Sequence, residues 1–198
     1  MSRVVRFHQT GGPQVLKIEQ REVGAPSAGE LRIKVEAIGL NRAEAAFRAG
    51  MYLEAPNLPC GIGYEASGIV EAVGDDVTDF KAGDAICVIP AFSMNTYSVY
   101  ADQTLVPAYA CTQRPSGLDK IEAASIWMQY LTAYGALIDI AKLGKGDFVI
   151  IPAASSHRRG RHHLPVRRPR TADHTAAAGG RAQPGHDLQG LHPVRDRR

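Results

Sequence analysis

After Ser156 the chain loses the means to build a core. From His157 to Arg198 there is no Glu, Lys, Ile, Met, Phe, Tyr, Trp, Cys, Asn or Ser. Ten arginines, six of the seven histidines, five glycines and four prolines occupy that stretch. No helical or strand period survives, so no apolar face can form, and a disordered basic tail is the expectation for residues 157–198. The residue types that remain favour those with G- and C-rich codons, which is what a GC-rich gene gives when read out of frame. A folded core has to come from residues 1–156.

The charge divides at the same place. Residues 1–156 hold 13 basic and 17 acidic side chains, a net charge of −4, whereas residues 157–198 hold 10 Arg against 3 Asp, a net charge of +7. The overall +3 thus belongs to the tail, and it is no argument for a nucleic-acid-binding body. The tail lacks aromatic residues to stack bases, so no specific nucleic-acid partner is expected. Its clustered histidines, His157, His162 and His163, sit among arginines that would repel a cation. Cys60, Cys87 and Cys111 are far apart and odd in number, which supports neither a disulfide framework nor a zinc knuckle; buried apolar thiols are the simpler reading. No apolar run reaches 18 residues and the first residues carry no leader pattern. A cytoplasmic protein without a membrane partner is the expectation.

Within the body, many short apolar stretches are punctuated by Gly, Pro and Asp. Val4–Phe7 and Val15–Glu19 suggest strands around a Gly11-Gly12-Pro13 turn. Glu30–Ile38 alternates, with Leu31, Ile33, Val35 and Ala37 on one face, the mark of a half-buried strand. Ser67–Val73, Ala85–Ile89 and Tyr97–Tyr100 add strands, and a short helix over Arg42–Ala49 stops at Gly50. This pattern predicts a β-rich barrel over residues 1–115. Then Asp119 with Glu122 forms a capping box, and Leu131, Tyr134, Leu137, Ile138 and Ala141 follow helical spacing. Phe148–Ala154 reads as a buried strand. Residues 116–156 are therefore expected to begin an α/β domain that is not completed.

Four segments carry a family resemblance in order: Gly39–Tyr52, Leu58–Gly74, Phe80–Asp84 and Gly146–Ser155. Together they resemble the medium-chain dehydrogenase/reductase superfamily, in its zinc-independent, quinone oxidoreductase-like branch. The resemblance implies a chaperonin-10-like (GroES-like) barrel followed by a Rossmann domain, here truncated or frameshifted. It also implies hydride transfer from NADPH to a quinone or α,β-unsaturated carbonyl. Zinc-dependent members place Cys, His and Cys where this chain has Asn41, Tyr64 and Met128, so the resemblance implies no zinc. Asn41, Tyr52, Tyr64 and Thr132 are the candidates for the substrate and cofactor cleft. Asn41 would donate an amide hydrogen bond, and the tyrosines would line the cleft or donate a phenol proton.

The family's glycine turn, which offers backbone N–H groups to a pyrophosphate, is disrupted after Ser156: Ala153-Ala-Ser-Ser156 runs into His-Arg-Arg-Gly160. NADPH binding by this chain is expected to be weak or absent, and the sheet edge through which relatives pair to a dimer is missing. Glu44, Glu65 and Asp84 are further acid–base candidates that the sequence does not bring together; for Glu65 a structural charge pair is the expected role. Two other readings stand beside an enzyme of this family, a non-enzymatic barrel module with a basic tail and a translation artefact without a folded state.

Overall fold

The computed structural model describes residues 1–150, of which Met1–Phe148 form one compact unit. The disrupted turn after Ser156, Gly160, the clustered histidines and the tail expected to be disordered lie outside the described residues.

Two antiparallel sheets make the β-rich body. The smaller has the order β2-β1-β4, from β1 (Ser2–Phe7), β2 (Leu16–Arg21) and β4 (Cys60–Gly61). The larger has the order β7-β3-β5-β6-β8, from β3 (Glu30–Ile38), β5 (Ala66–Val73), β6 (Ala85–Val88), β7 (Gln103–Pro107) and β8 (Cys111–Gln113). The alternating stretch forms β3 over its whole length and puts Leu31 and Ile33 wholly inside. Its ladder with β5 shifts register between Val35 and Ala37, a bulge that bends the strand end toward the loop at Gly39. The segment expected as a strand at Tyr97–Tyr100 joins no ladder. Its continuation stitches the sheets together instead. Val5 N–H donates to Tyr100 O, Val4 bridges Ala101, and Asp102 O accepts from Val35 N–H on β3.

Two apolar clusters fill the body. Leu31, Ile33, Val70, Ile86, Val88, Val99 and Val106 pack inside the large sheet. Phe7, Phe47, Cys60, Ile62, Tyr64 and Met94 form a second cluster, which anchors α1 (Arg42–Arg48) through Phe47. Gly50 ends that helix in the left-handed region, φ 74°, where a side chain would be strained. The three thiols stay free, and the register pairs Cys111 with Val88 rather than with Cys87.

After β8, Asp119 caps α2 (Lys120–Ala123), its carboxylate accepting from Ile121 N at 2.7 Å and Glu122 N at 2.9 Å. α3 (Trp127–Tyr134) follows and widens into a π-type turn over Gly135–Ile140. The helical spacing of Leu131, Tyr134 and Ile138 is thus realised, yet all three are exposed, because none of the described residues covers that face. Residues 148–150 form no strand. A strand needs neighbours for its N–H and C=O groups, and none is present among the described residues. No helix among the described residues is long and apolar enough to cross a membrane.

Candidate functional site

The chemistry-bearing side chains converge where β3, α1, β5 and α3 meet. Asn41 is the N-cap of α1, and Glu44, in the first turn, accepts from the Asn41 backbone N–H. The same Glu44 carboxylate takes Tyr64 N–H at 3.3 Å and lies 3.4 Å from Asn41 Nδ2. Glu65, just before β5, accepts from Asn41 Nδ2 at 3.1 Å with one oxygen and from Met128 N–H, in the first turn of α3, at 2.8 Å with the other. Both acids are buried, Glu44 at 3 % and Glu65 at 1 % exposure. Burial pushes the Glu44 carboxyl above the usual carboxylate range, against the pull of the N–H groups that it accepts.

Glu44 and Glu65 are the residues that sequence reasoning left apart and the fold joins. Asp84 is elsewhere, bonded by Lys81 N–H and Gln113. Glu65 also corrects an expectation. It forms no ion pair among the described residues; an amide and a backbone N–H satisfy it. The signal was the capping box at Asn41–Glu44, which the sequence shows. The contact from residue 65 to residue 128 has no local signature.

Gly39 makes this node possible. Its N–H donates to Glu65 O at 2.9 Å, and a Cβ there would collide with the Glu65 side chain and with Ala124 O. Tyr100 closes the floor, donating to Gly39 O at 3.1 Å; burial drives its phenol pKa upward.

An aromatic wall adjoins the node. Tyr52 and Tyr64 lie 6.2 Å apart by ring centroids, and Phe92 continues the row 5.8 Å from Tyr64. Tyr52 and Phe92 are half-buried, while Tyr64 is only 6 % exposed. Burial pushes the Tyr64 phenol up, first of all causes, and its ring packs in the second apolar cluster. Thr132 is exposed on α3 and donates to Met128 O at 2.5 Å, one turn from the Glu65 contact. The structure thus brings Asn41, Tyr64 and Tyr52 to one neighbourhood and leaves Thr132 on the adjoining helix.

Asn41, Tyr64 and Met128 bring an amide, a buried phenol and a thioether to this neighbourhood. Among the described residues no three His, Cys, Asp or Glu side chains group to hold a metal ion.

The residues that build β3 to β8 carry a GroES-like domain of the alcohol dehydrogenase type. Residues 27–118 match the family model for the alcohol dehydrogenase GroES-like domain. Human quinone oxidoreductase is 37% identical over 157 residues, 78% of this chain and 46% of that protein. Among solved structures, the human synaptic vesicle membrane protein VAT-1 homolog-like protein superposes with a TM-score of 0.67 at 32% identity, covering 73% of this chain and 45% of that one. Escherichia coli quinone oxidoreductase complexed with NADPH gives 0.61 at 31% identity, covering 69% and 40%. The matched part belongs to the medium-chain dehydrogenase/reductase superfamily and is quinone oxidoreductase-like. The chain spans about half the length of the curated relatives it matches, 46% for the human enzyme.

Proposed function

We propose that this chain carries the substrate-side half of a zinc-independent reductase. In the intact active protein, NADPH would supply a hydride to a quinone or α,β-unsaturated carbonyl. The observation that carries this reading is the node at Asn41: a polar side chain held by two buried carboxylates, beside the half-open wall of Tyr52 and Phe92. A flat conjugated ring suits such a wall, because apolar and π contacts favour it without an ion pair. Tyr64 backs the wall from inside, and Thr132 is exposed on the adjoining helix α3.

A zinc-free site is supported by the donor set at Asn41, Tyr64 and Met128. Glu65 accepts from Asn41 Nδ2 with one oxygen and from Met128 N–H with the other, so it is satisfied without a cation. Without a Lewis acid, charge stabilisation would fall to hydrogen bonds and to the low dielectric of a closed cleft. We further propose that the chain does not turn over alone. The run Ser155-Ser-His-Arg-Arg159 stands where a glycine turn would receive the pyrophosphate, and arginine side chains cannot replace the close approach of backbone N–H groups.

The test is a titration of the 198-residue chain with tetramethyl-1,4-benzoquinone and, separately, with NADPH, followed by amide NMR. Shifts at Asn41, Tyr52 and Phe92 with quinone, and no NADPH oxidation, are expected. Quinone shifts clustered away from these residues would sink the cleft reading. Turnover with NADPH would sink the claim of inactivity.

A further inference from the structure

We propose that Asn41 meets its ligand as a hydrogen-bond acceptor, held in that role by Glu65 and Glu44, and that the group it selects is therefore a hydroxyl. This rests on the cleft reading above and reverses the donor role that the sequence suggests for Asn41.

The polarity follows from what carboxylates can do. An ionised carboxylate only accepts, and Glu65 Oε1 lies 3.1 Å from the Asn41 amide. The nitrogen must face it, because an amide oxygen there would set two acceptors against each other inside a buried site. The second amide hydrogen has Glu44 Oε1 at 3.4 Å to turn toward. Both donors of Asn41 thus point at acids. Its oxygen faces the first turn of α1 in the capping box and keeps a lone pair uncommitted, on a residue that remains half-exposed.

Turning the amide over would leave Glu65 with an acceptor opposite it and only Met128 N–H as donor. Glu65 itself cannot swing away, because it is wholly buried and packed over Gly39. Glu65 is accordingly a positioning residue: it touches no ligand and decides which end of Asn41 a ligand sees. A quinone carbonyl offers no hydrogen to that oxygen. A hydroquinone hydroxyl does, and so does a ribose hydroxyl of a nucleotide.

Two probe pairs separate these sources in the full-length chain. One is tetramethyl-1,4-benzoquinone against its hydroquinone under anaerobic conditions; the methyl groups block addition to the thiols. The other is nicotinamide mononucleotide against nicotinamide. The readout is the Asn41 side-chain amide signal and the dissociation constant of each probe. One hydrogen bond gained should make the hydroxyl-bearing member of a pair about three- to tenfold tighter. The pair that shows it names the source. In Glu65→Gln the new amide can meet the Asn41 oxygen, so the Asn41 amide is free to turn, and the preference should fall to about onefold or reverse. Equal binding within both pairs, or tighter quinone, with the Asn41 signal moving, would overturn the acceptor role and leave the cleft reading standing. No movement at Asn41 with any of the four probes would overturn both. The wild-type ratios decide the matter even if Glu65→Gln fails to fold.

Discussion

The amide of Asn41 and the carboxylate of Glu65 meet at 3.1 Å, and through the other Glu65 oxygen, 2.8 Å from Met128 N–H, the cap of one helix is tied to the first turn of another. Residues 24 apart and 63 apart in sequence are so joined by one buried side chain. Removing it should leave an amide and a backbone N–H unsatisfied and open a cavity. Glu65→Ala is expected to lose about 2–4 kcal/mol of unfolding free energy. Glu65→Gln, which keeps the volume and one acceptor, should lose about 1–2 kcal/mol. Urea unfolding followed by circular dichroism checks both. Equal losses would mean that the missing carboxylate, and not the missing volume, sets the cost.

Gly39 gives a second, sharper test of the same node. Its φ is unremarkable, so the requirement is space and not backbone freedom. A methyl group would press on Ala124 O and the Glu65 side chain, neither of which has room to yield. Gly39→Ala should cost about 1–3 kcal/mol from overpacking. It should also speed hydrogen exchange at the Met128 amide more than at Ile33 in β3. Unchanged exchange at Met128 would show that α3 does not depend on this contact.

Much of this fold could be read from the residues. The alternation of Leu31, Ile33 and Val35 located β3, because a strand with one buried face has period two. The Asp119–Glu122 capping box located α2, because the signal is local to four residues. Tyr97–Tyr100 misled, since its composition suits a ladder while its hydrogen bonds go piecemeal to Ile62 and Val5. β7 was overlooked because Gln103–Pro107 is short, polar at its start and paired to β3 at long range. At the site, Asn41 was found through its motif. The convergence of Glu44 with Glu65 was not, because neighbours made by tertiary packing leave no spacing to read.

Glu44 should give this domain a stability that falls as pH rises. Burial raises its pKa in the folded chain above the unfolded value, so the folded state binds the proton more tightly. The contribution is fully present below the unfolded carboxyl pKa and is lost as pH climbs through the folded one. Glu44→Gln carries no such proton. The difference in Tm, variant minus wild type, should therefore grow more positive from about pH 4 upward. A flat difference would mean that the N–H groups from Asn41 and Tyr64 offset desolvation, and a difference that falls with pH would mean that they outweigh it.

The three thiols should be inert in the folded chain. A thiol reacts as its thiolate, and burial disfavours that charge. Cys87 is wholly buried and Cys60 is 4 % exposed, and desolvation raises both pKa values. Cys111 is only half-buried by surface, yet its surroundings are apolar and its thiol is pushed up to about 12. Iodoacetamide at pH 8 should therefore leave all three largely unmodified while the fold persists, and should label all three in strong denaturant. Cys111 is the discriminating case. Its partial exposure alone would allow alkylation, so rapid labelling there would show that access, not the missing thiolate, governs its reactivity. Peptide mass analysis after timed quenching separates the three sites.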